Sequence, residues 1–218
     1  LDKSQLISRS KMLFHRRDPS KARENEQKYG ITSTSVQNLV DRSTLLLICV
    51  RPNQAELAFK DLVKAGIDLK MVVSVMAGIK IAAIQKLSPK IQVARAMPNI
   101  ASEISKGMTL LSFCSNPSLE FRSCVHLLFS ALGNIAEISE SQMDIGSAIA
   151  GSGPAFVLEM IEAIAKKKKK QGLPYGKALT MTAQTFLGGA ELVLKGGVPQ
   201  DLITQIATTG GMTMEGLK

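Results

Sequence analysis

Two glycine-rich segments carry the strongest chemical signal, Gly151-Ser152-Gly153-Pro154 and Gly210-Gly211-Met212-Thr213. Each precedes a helical pattern. Loops of this kind aim backbone N–H groups at an anion, so two of them in one half of a chain point to a small carboxylate or phosphate ligand. Taken singly, either one equally suits a plain helix end or a close helix contact. A third signal is His15-Arg16-Arg17-Asp18, directly after an apolar strand pattern at 11–14. In a dinucleotide-binding fold the end of the second strand meets the adenosine ribose, where an acidic residue selects a free 2′-hydroxyl. Two arginines in that place suit a 2′-phosphate, hence NADP(H). The plain alternative is a basic surface turn with Asp18 as a helix cap. His15 and His126 have no partners in a triad pattern, and Cys49, Cys114 and Cys124 fit no metal-ligand spacing.

The elements that would position these residues follow from hydrophobic pattern. Apolar runs at 11–14, 45–50, 71–75, 91–96, 108–113 and 134–137 read as strands, and 20–28, 54–65, 79–86 and 118–132 as helices between them. Asp18 and Pro19 form a cap and first position for the first helix. Alternation at this spacing predicts βαβ units with a parallel sheet covered on both faces. Beyond about residue 140 the strand signal stops, and 147–170, 176–195 and 199–207 read as helices. The predicted fold is therefore α/β: a Rossmann-like NAD(P)-binding domain over 1–140, followed by an all-helical domain over 141–218. Gly188-Gly189 inside the second of these helices is costly for propensity, and makes sense if another helix, from a second subunit, packs there.

Composition bounds the alternatives. The chain has 218 residues, 45% hydrophobic and 4% aromatic with no Trp, so its core must be aliphatic. A formal charge of +9 suits an anionic partner. The lysines at 166–170 read as a solvated helix end, since the aromatic and basic clusters of a nucleic-acid binder are lacking. Cys49 lies in an apolar run and reads as a buried free thiol. Three unpaired cysteines indicate a reducing compartment, hence the cytoplasm. The longest apolar stretches fall well short of the ~20 residues of a membrane span.

An ordered set of motifs resembles the Δ1-pyrroline-5-carboxylate reductase family over nearly the whole chain. It comprises Arg17-Asp18-Pro19-Ser20-Lys21, Cys49-Val50-Arg51-Pro52, Ser74-Val75-Met76-Ala77-Gly78, Arg95-Ala96-Met97-Pro98-Asn99, Gly151-Ser152-Gly153-Pro154-Ala155-Phe156, Gly172-Leu173-Pro174, Ala183-Gln184-Thr185 and Gly210-Gly211-Met212-Thr213. The resemblance implies NADPH-dependent reduction of the cyclic imine pyrroline-5-carboxylate to L-proline, by a homodimer whose helical domains interlock and whose active site draws on two subunits. It places Val50, Arg51, Pro52, Ala77 and Gly78 along the cofactor, with His15, Arg16 and Arg17 at its 2′-phosphate and Asn99 near the nicotinamide. It places Gly210, Gly211, Met212 and Thr213 at the substrate carboxylate. Thr213 matches the family threonine at the imine nitrogen, and Ser147 a second hydroxyl position. The chemistry agrees with these residue types: hydride comes from the cofactor, and a hydroxyl relay suffices for the proton because the imine can arrive protonated.

The departures from the family pattern also carry information. The opening strand and glycine-rich turn expected of the family are missing, so the chain is expected to lack roughly 25–30 residues at its N-terminus, one βα unit. It also ends, at Lys218, inside an expected helix. Ile100-Ala101 stand where the family has Thr-Pro, Thr209 replaces a proline, Met212 a small residue and Phe156 a tyrosine, and Val36 falls near a ribose-binding asparagine. These changes leave open a divergent relative of the late-competence type, a nucleotide-binding or interaction module without proline synthesis.

Overall fold

The computed structural model describes residues 6–68, 70–208 and 210–217. It divides into two compact units, Leu1–Pro154 and Ala155–Lys218. The first contains β1 (Leu13–Phe14), α1 (Pro19–Tyr29), β2 (Thr32–Ser33), α2 (Val36–Arg42), β3 (Leu45–Ile48), α3 (Ala55–Lys64) and β4 (Met71–Ser74). It continues with α4 (Ile81–Gln85), β5 (Gln92–Met97), β6 (Gly107–Phe113), α5 (Leu119–Ser130), β7 (Gly133–Glu137) and α6 (Met143–Ala150).

Local chemistry explains where the helices begin. The Asp18 carboxylate accepts the N–H groups of Ser20 and Lys21, and Pro19 opens α1. Those bonds, chiefly the one from Lys21, hold the Asp18 carboxyl below its usual range. The cap therefore contributes above that range and is lost as pH falls through the lowered value. Ser35 and Ser118 cap α2 and α5 in the same manner, accepting from Asn38 and Phe121. The expected strand at 11–14 shortens to Leu13–Phe14, because Arg9–Lys11 form a 3-10 turn.

The sheet is not wholly parallel. β3, β4 and β5 are parallel neighbours, with Ile48 beside Ser74 and Ser74 beside Arg95. β6 is antiparallel to β5 and parallel to β7. The expectation of parallel βαβ units fails at β5–β6 because residues 98–106, holding only a 3-10 turn at Ile100–Ile104, are too few for a parallel crossover. β1 and β2 pair in a separate two-stranded sheet.

Side-chain alternation along the strands splits the core in two. Val72 and Val93 join Leu62 of α3 and Ile84 of α4 on one face. Val73 and Ala94 join Phe121, Val125 and Leu128 of α5 on the other. Burying each such large side chain contributes about 1.5–3 kcal/mol. A third cluster seats Met143 and Ala150 of α6 against Leu110 of β6.

One buried ion pair ties the layers together. The Arg95 side chain, 4% exposed, donates from Nη1 to Glu140 at 3.0 Å. The same carboxylate oxygen accepts the Ile81 N–H at 2.7 Å, at the start of α4. Arg95 Nε has no hydrogen-bond partner among the described residues, so the Glu140 pair is the contact that compensates the guanidinium there. Removing one member of a buried pair costs roughly 3–5 kcal/mol. We expect Glu140→Ala to lower the unfolding free energy by about 3 kcal/mol in a denaturant titration; a loss below about 1 kcal/mol would show the pair to be dispensable.

The second unit is helical: α7 (Gly153–Lys170), α8 (Tyr175–Leu194), α9 (Pro199–Ile206) and α10 (Met212–Gly216), with α7 beginning two residues inside the first unit. The helix expected over 147–170 is in fact two, α6 and α7, broken at Gly151-Ser152. Among the described residues of this unit only Ala165, Ala178 and Thr182 are buried, while Phe156, Leu158, Met181 and Leu194 are all exposed. A Cβ at Gly188 or Gly189 would meet nothing within 4 Å. The lysine run forms the last turn of α7, where a helix C-terminus favours cations, and Lys166 pairs with Glu162 at 2.9 Å.

Candidate functional site

The parallel strands deliver the expected cofactor segments to one edge. Val50-Arg51-Pro52 follow the carboxyl end of β3, Ala77-Gly78 that of β4, and Pro98-Asn99 that of β5. Open α/β sheets bind ligands at this edge. Val50 is half-buried against the core, Arg51 is exposed, and Pro52 starts the turn into α3. Gly78 has φ +74°, a backbone that L side chains rarely adopt, and no atom lies within 4 Å of the place its Cβ would fill. Such a turn lets a ligand approach the backbone closely. Cys49 is exposed here rather than buried, because β3 ends at Ile48; the protein around its thiol still pushes the pKa up by desolvation.

Asn99 is more constrained than its expected nicotinamide contact suggests. Its Oδ1 accepts the Ala101 N–H at 3.2 Å, and its Nδ2 donates to Ala150 O at 2.9 Å, at the end of α6. One acceptor site and one N–H remain for a ligand. Ser147, on α6, donates its hydroxyl to Met143 O at 2.6 Å, so it faces a ligand as an acceptor unless it rotates. Its carbonyl accepts the N–H groups of both Gly151 and Ser152. The N–H groups of Gly151 and Ser152 thus close a helix joint and are not offered to a ligand, which removes two of the donors on which the anion-loop reading of Gly151-Ser152-Gly153-Pro154 rests. A Cβ on Gly151 would lie 2.8 Å from Ser147 O, which explains the glycine.

A second site forms where β1 meets α2 and α3. His15 and Arg17, Val36 and Gln37, and Asp61 and Lys64 line an open cleft of about 380 Å³. That size is within the range of small-ligand pockets. Arg17 Nη2 donates to Asp61 Oδ2 at 2.7 Å, with both side chains partly exposed. His15 Nδ1 lies 2.9 Å from Thr34 O, which fixes the ring. Arg16 is exposed beside Asp18, outside the cleft lining. Gln37, Asp61 and Lys64 escape sequence reading because α2 shows no readable period and α3 reads as an ordinary amphipathic helix. The cations Arg17 and Lys64 outnumber the one carboxylate of this cleft, a balance that suits an anion.

The second glycine loop belongs to the helical unit. Gly210 adopts φ +75° and leads into α10. Gly211 spends its N–H on Thr208 O at 2.9 Å. No side chain caps α10, so the N–H groups of its first turn, those of Met212 and Thr213 among them, have no side-chain acceptor. Met212 is 94% exposed. Thr209, Lys218 and the chain's first five residues lie outside the described residues.

Over residues 140–218 the chain matches the family described as "Pyrroline-5-carboxylate reductase dimerisation", and over residues 3–78 the one described as "NADP oxidoreductase coenzyme F420-dependent". A pyrroline-5-carboxylate reductase of Aquifex aeolicus is 34% identical over 189 residues, 85% of this chain and 70% of that protein. The chain belongs to the pyrroline-5-carboxylate reductase family. The 1-pyrroline-5-carboxylate reductase of Streptococcus pyogenes superposes with a TM-score of 0.88 at 28% identity, covering 99% of this chain and 83% of that one. The Plasmodium falciparum pyrroline carboxylate reductase, solved with NADP bound, shares the fold at a TM-score of 0.87 and 24% identity, covering 99% and 80%. Membership in this family also bears on the stretch Glu140–Lys170, which by length and composition alone could cross a membrane, with a mean hydropathy of 1.4 and 11% of its apolar window buried. Sequence reading found no such run because Gly151, Ser152 and Gly153 interrupt it. The match to a dimerisation region gives the exposed apolar surface another reason.

Proposed function

We propose that the chain reduces pyrroline-5-carboxylate to L-proline with NADPH. The observation that carries this reading is the delivery of Val50-Arg51-Pro52, Ala77-Gly78 and Asn99 to the carboxyl ends of three adjacent parallel strands, in a chain of this family. Bound there, NADPH supplies the hydride for the imine carbon. The protein's own residues do the binding, orienting and proton handling. Arg17 and His15, in the cleft lining, hold the 2′-phosphate end, with the neighbouring Arg16 adding positive charge from outside the lining, and the open backbone at Gly78 admits the dinucleotide. Asn99 orients the nicotinamide side with the hydrogen-bonding capacity left to its amide. Gly210 and Gly211 shape a loop from which the N–H groups of Met212 and Thr213 hold the substrate carboxylate. The Thr213 hydroxyl relays a proton from solvent to the imine nitrogen, and Ser147, in the other unit, is the second candidate hydroxyl.

The proposed division of labour is a cofactor domain over 1–140 and a helical domain over 141–218 that pairs with that of a second copy. The scarcity of buried side chains among the described residues of the helical unit supports the pairing, because four helices with so little core gain most by burying one face on another copy. The proposed location is the cytoplasm, supported by three free cysteines. Product analysis tests the reaction. L-proline accumulates in step with NADPH consumed when pyrroline-5-carboxylate is supplied; NADPH loss without proline overturns the proposal.

A further inference from the structure

The cleft beside β1 contains a group that the 2′-phosphate assignment leaves unused. Asp61 is the one carboxylate in its lining, and it grips Arg17 at 2.7 Å. Lys64 stands one turn further along α3 on the same face, also in the lining. Asp61 therefore cancels one of the two cationic side chains the cleft can turn on an anion. A ribose 2′-phosphate carries close to two negative charges at neutral pH, and a carboxylate nearby repels it. A free 2′-hydroxyl is neutral and donates to a carboxylate. The same side chain thus disfavours one coenzyme and accommodates the other.

We infer that Asp61 is a specificity-determining residue that restrains the preference for NADPH over NADH by occupying Arg17 and facing the 2′ position. The inference rests on the coenzyme assignment proposed above. Asp61 is a third exposed, so its field is partly screened and its effect is moderate.

Binding, without turnover, tests it. The unmodified protein, Asp61→Asn and Asp61→Ser are titrated with NADPH and NADH by coenzyme fluorescence, and with adenosine 2′,5′-bisphosphate and AMP by calorimetry. Both substitutions are expected to tighten NADPH and the bisphosphate by about three- to tenfold while NADH and AMP hold or weaken. The salt dependence of NADPH binding steepens as well. Equal changes for the phosphorylated and unphosphorylated ligands overturn the inference and leave Asp61 as a packing residue. Weaker NADPH binding in both variants overturns it too, since Asp61 would then be aiming Arg17 at the phosphate. If the unmodified protein binds neither coenzyme, the coenzyme assignment itself fails. That result differs from either of the others and removes the ground of this inference.

Discussion

Replacing Thr213 by alanine is expected to lower kcat for pyrroline-5-carboxylate reduction by roughly a hundredfold, with little change in KM. A proton must reach the imine nitrogen as hydride reaches carbon, and positioned proton donors contribute about 10²–10⁴-fold. The lower end applies because the imine can arrive already protonated. Substrate binding survives in the variant, since the carboxylate is assigned to the Met212 and Thr213 N–H groups, which alanine retains. Thr213→Ser, which restores the hydroxyl, should recover most of the rate. The alanine variant should also lose rate more steeply as pH rises, because it depends wholly on substrate that is already protonated. Unchanged kcat in both variants would reduce Thr213 to a helix-start residue.

The second large effect lies at the other end of the coenzyme. Arg16→Ala with Arg17→Ala is expected to weaken NADPH by roughly 10–100-fold while NADH changes by less than about threefold. Hydrogen bonds from a guanidinium to a phosphate are charge-assisted and contribute about 1.5–3 kcal/mol, and 1.4 kcal/mol is a factor of about ten. Arg17 should account for most of the loss, because it lines the cleft while Arg16 does not. Equal loss for both coenzymes, measured as dissociation constants, would assign the arginines to general attraction and not to the 2′-phosphate.

Much of this architecture is legible in the residues, for local reasons. Asp18-Pro19 announces α1, and the apolar runs at β4 and β5 announce strands covered on both faces, whereas β3 leaves Leu47 exposed on one face. What is not legible depends on separation or brevity. β2 has two residues, both polar, and α2 only seven residues, too short for any period to show. The antiparallel turn of β6 follows from a short connection whose importance appears only once both strands are placed. Asp61 meets Arg17 across 44 positions of sequence, and neither residue marks the other in advance. The Gly151 segment misleads for a physical reason: a glycine that admits a carbonyl closely and a glycine that frees N–H groups for an anion look the same in sequence. Only the two bonds onto Ser147 O tell them apart.

The most direct test of the central claim is the steady-state oxidation of NADPH by the purified protein, with and without pyrroline-5-carboxylate. Substrate-dependent turnover of about 1–10³ s⁻¹ is the predicted result. A folded protein that binds NADPH yet oxidises it at the same negligible rate with and without the imine would contradict the account. It would place the chain among relatives that keep the reductase fold without its chemistry.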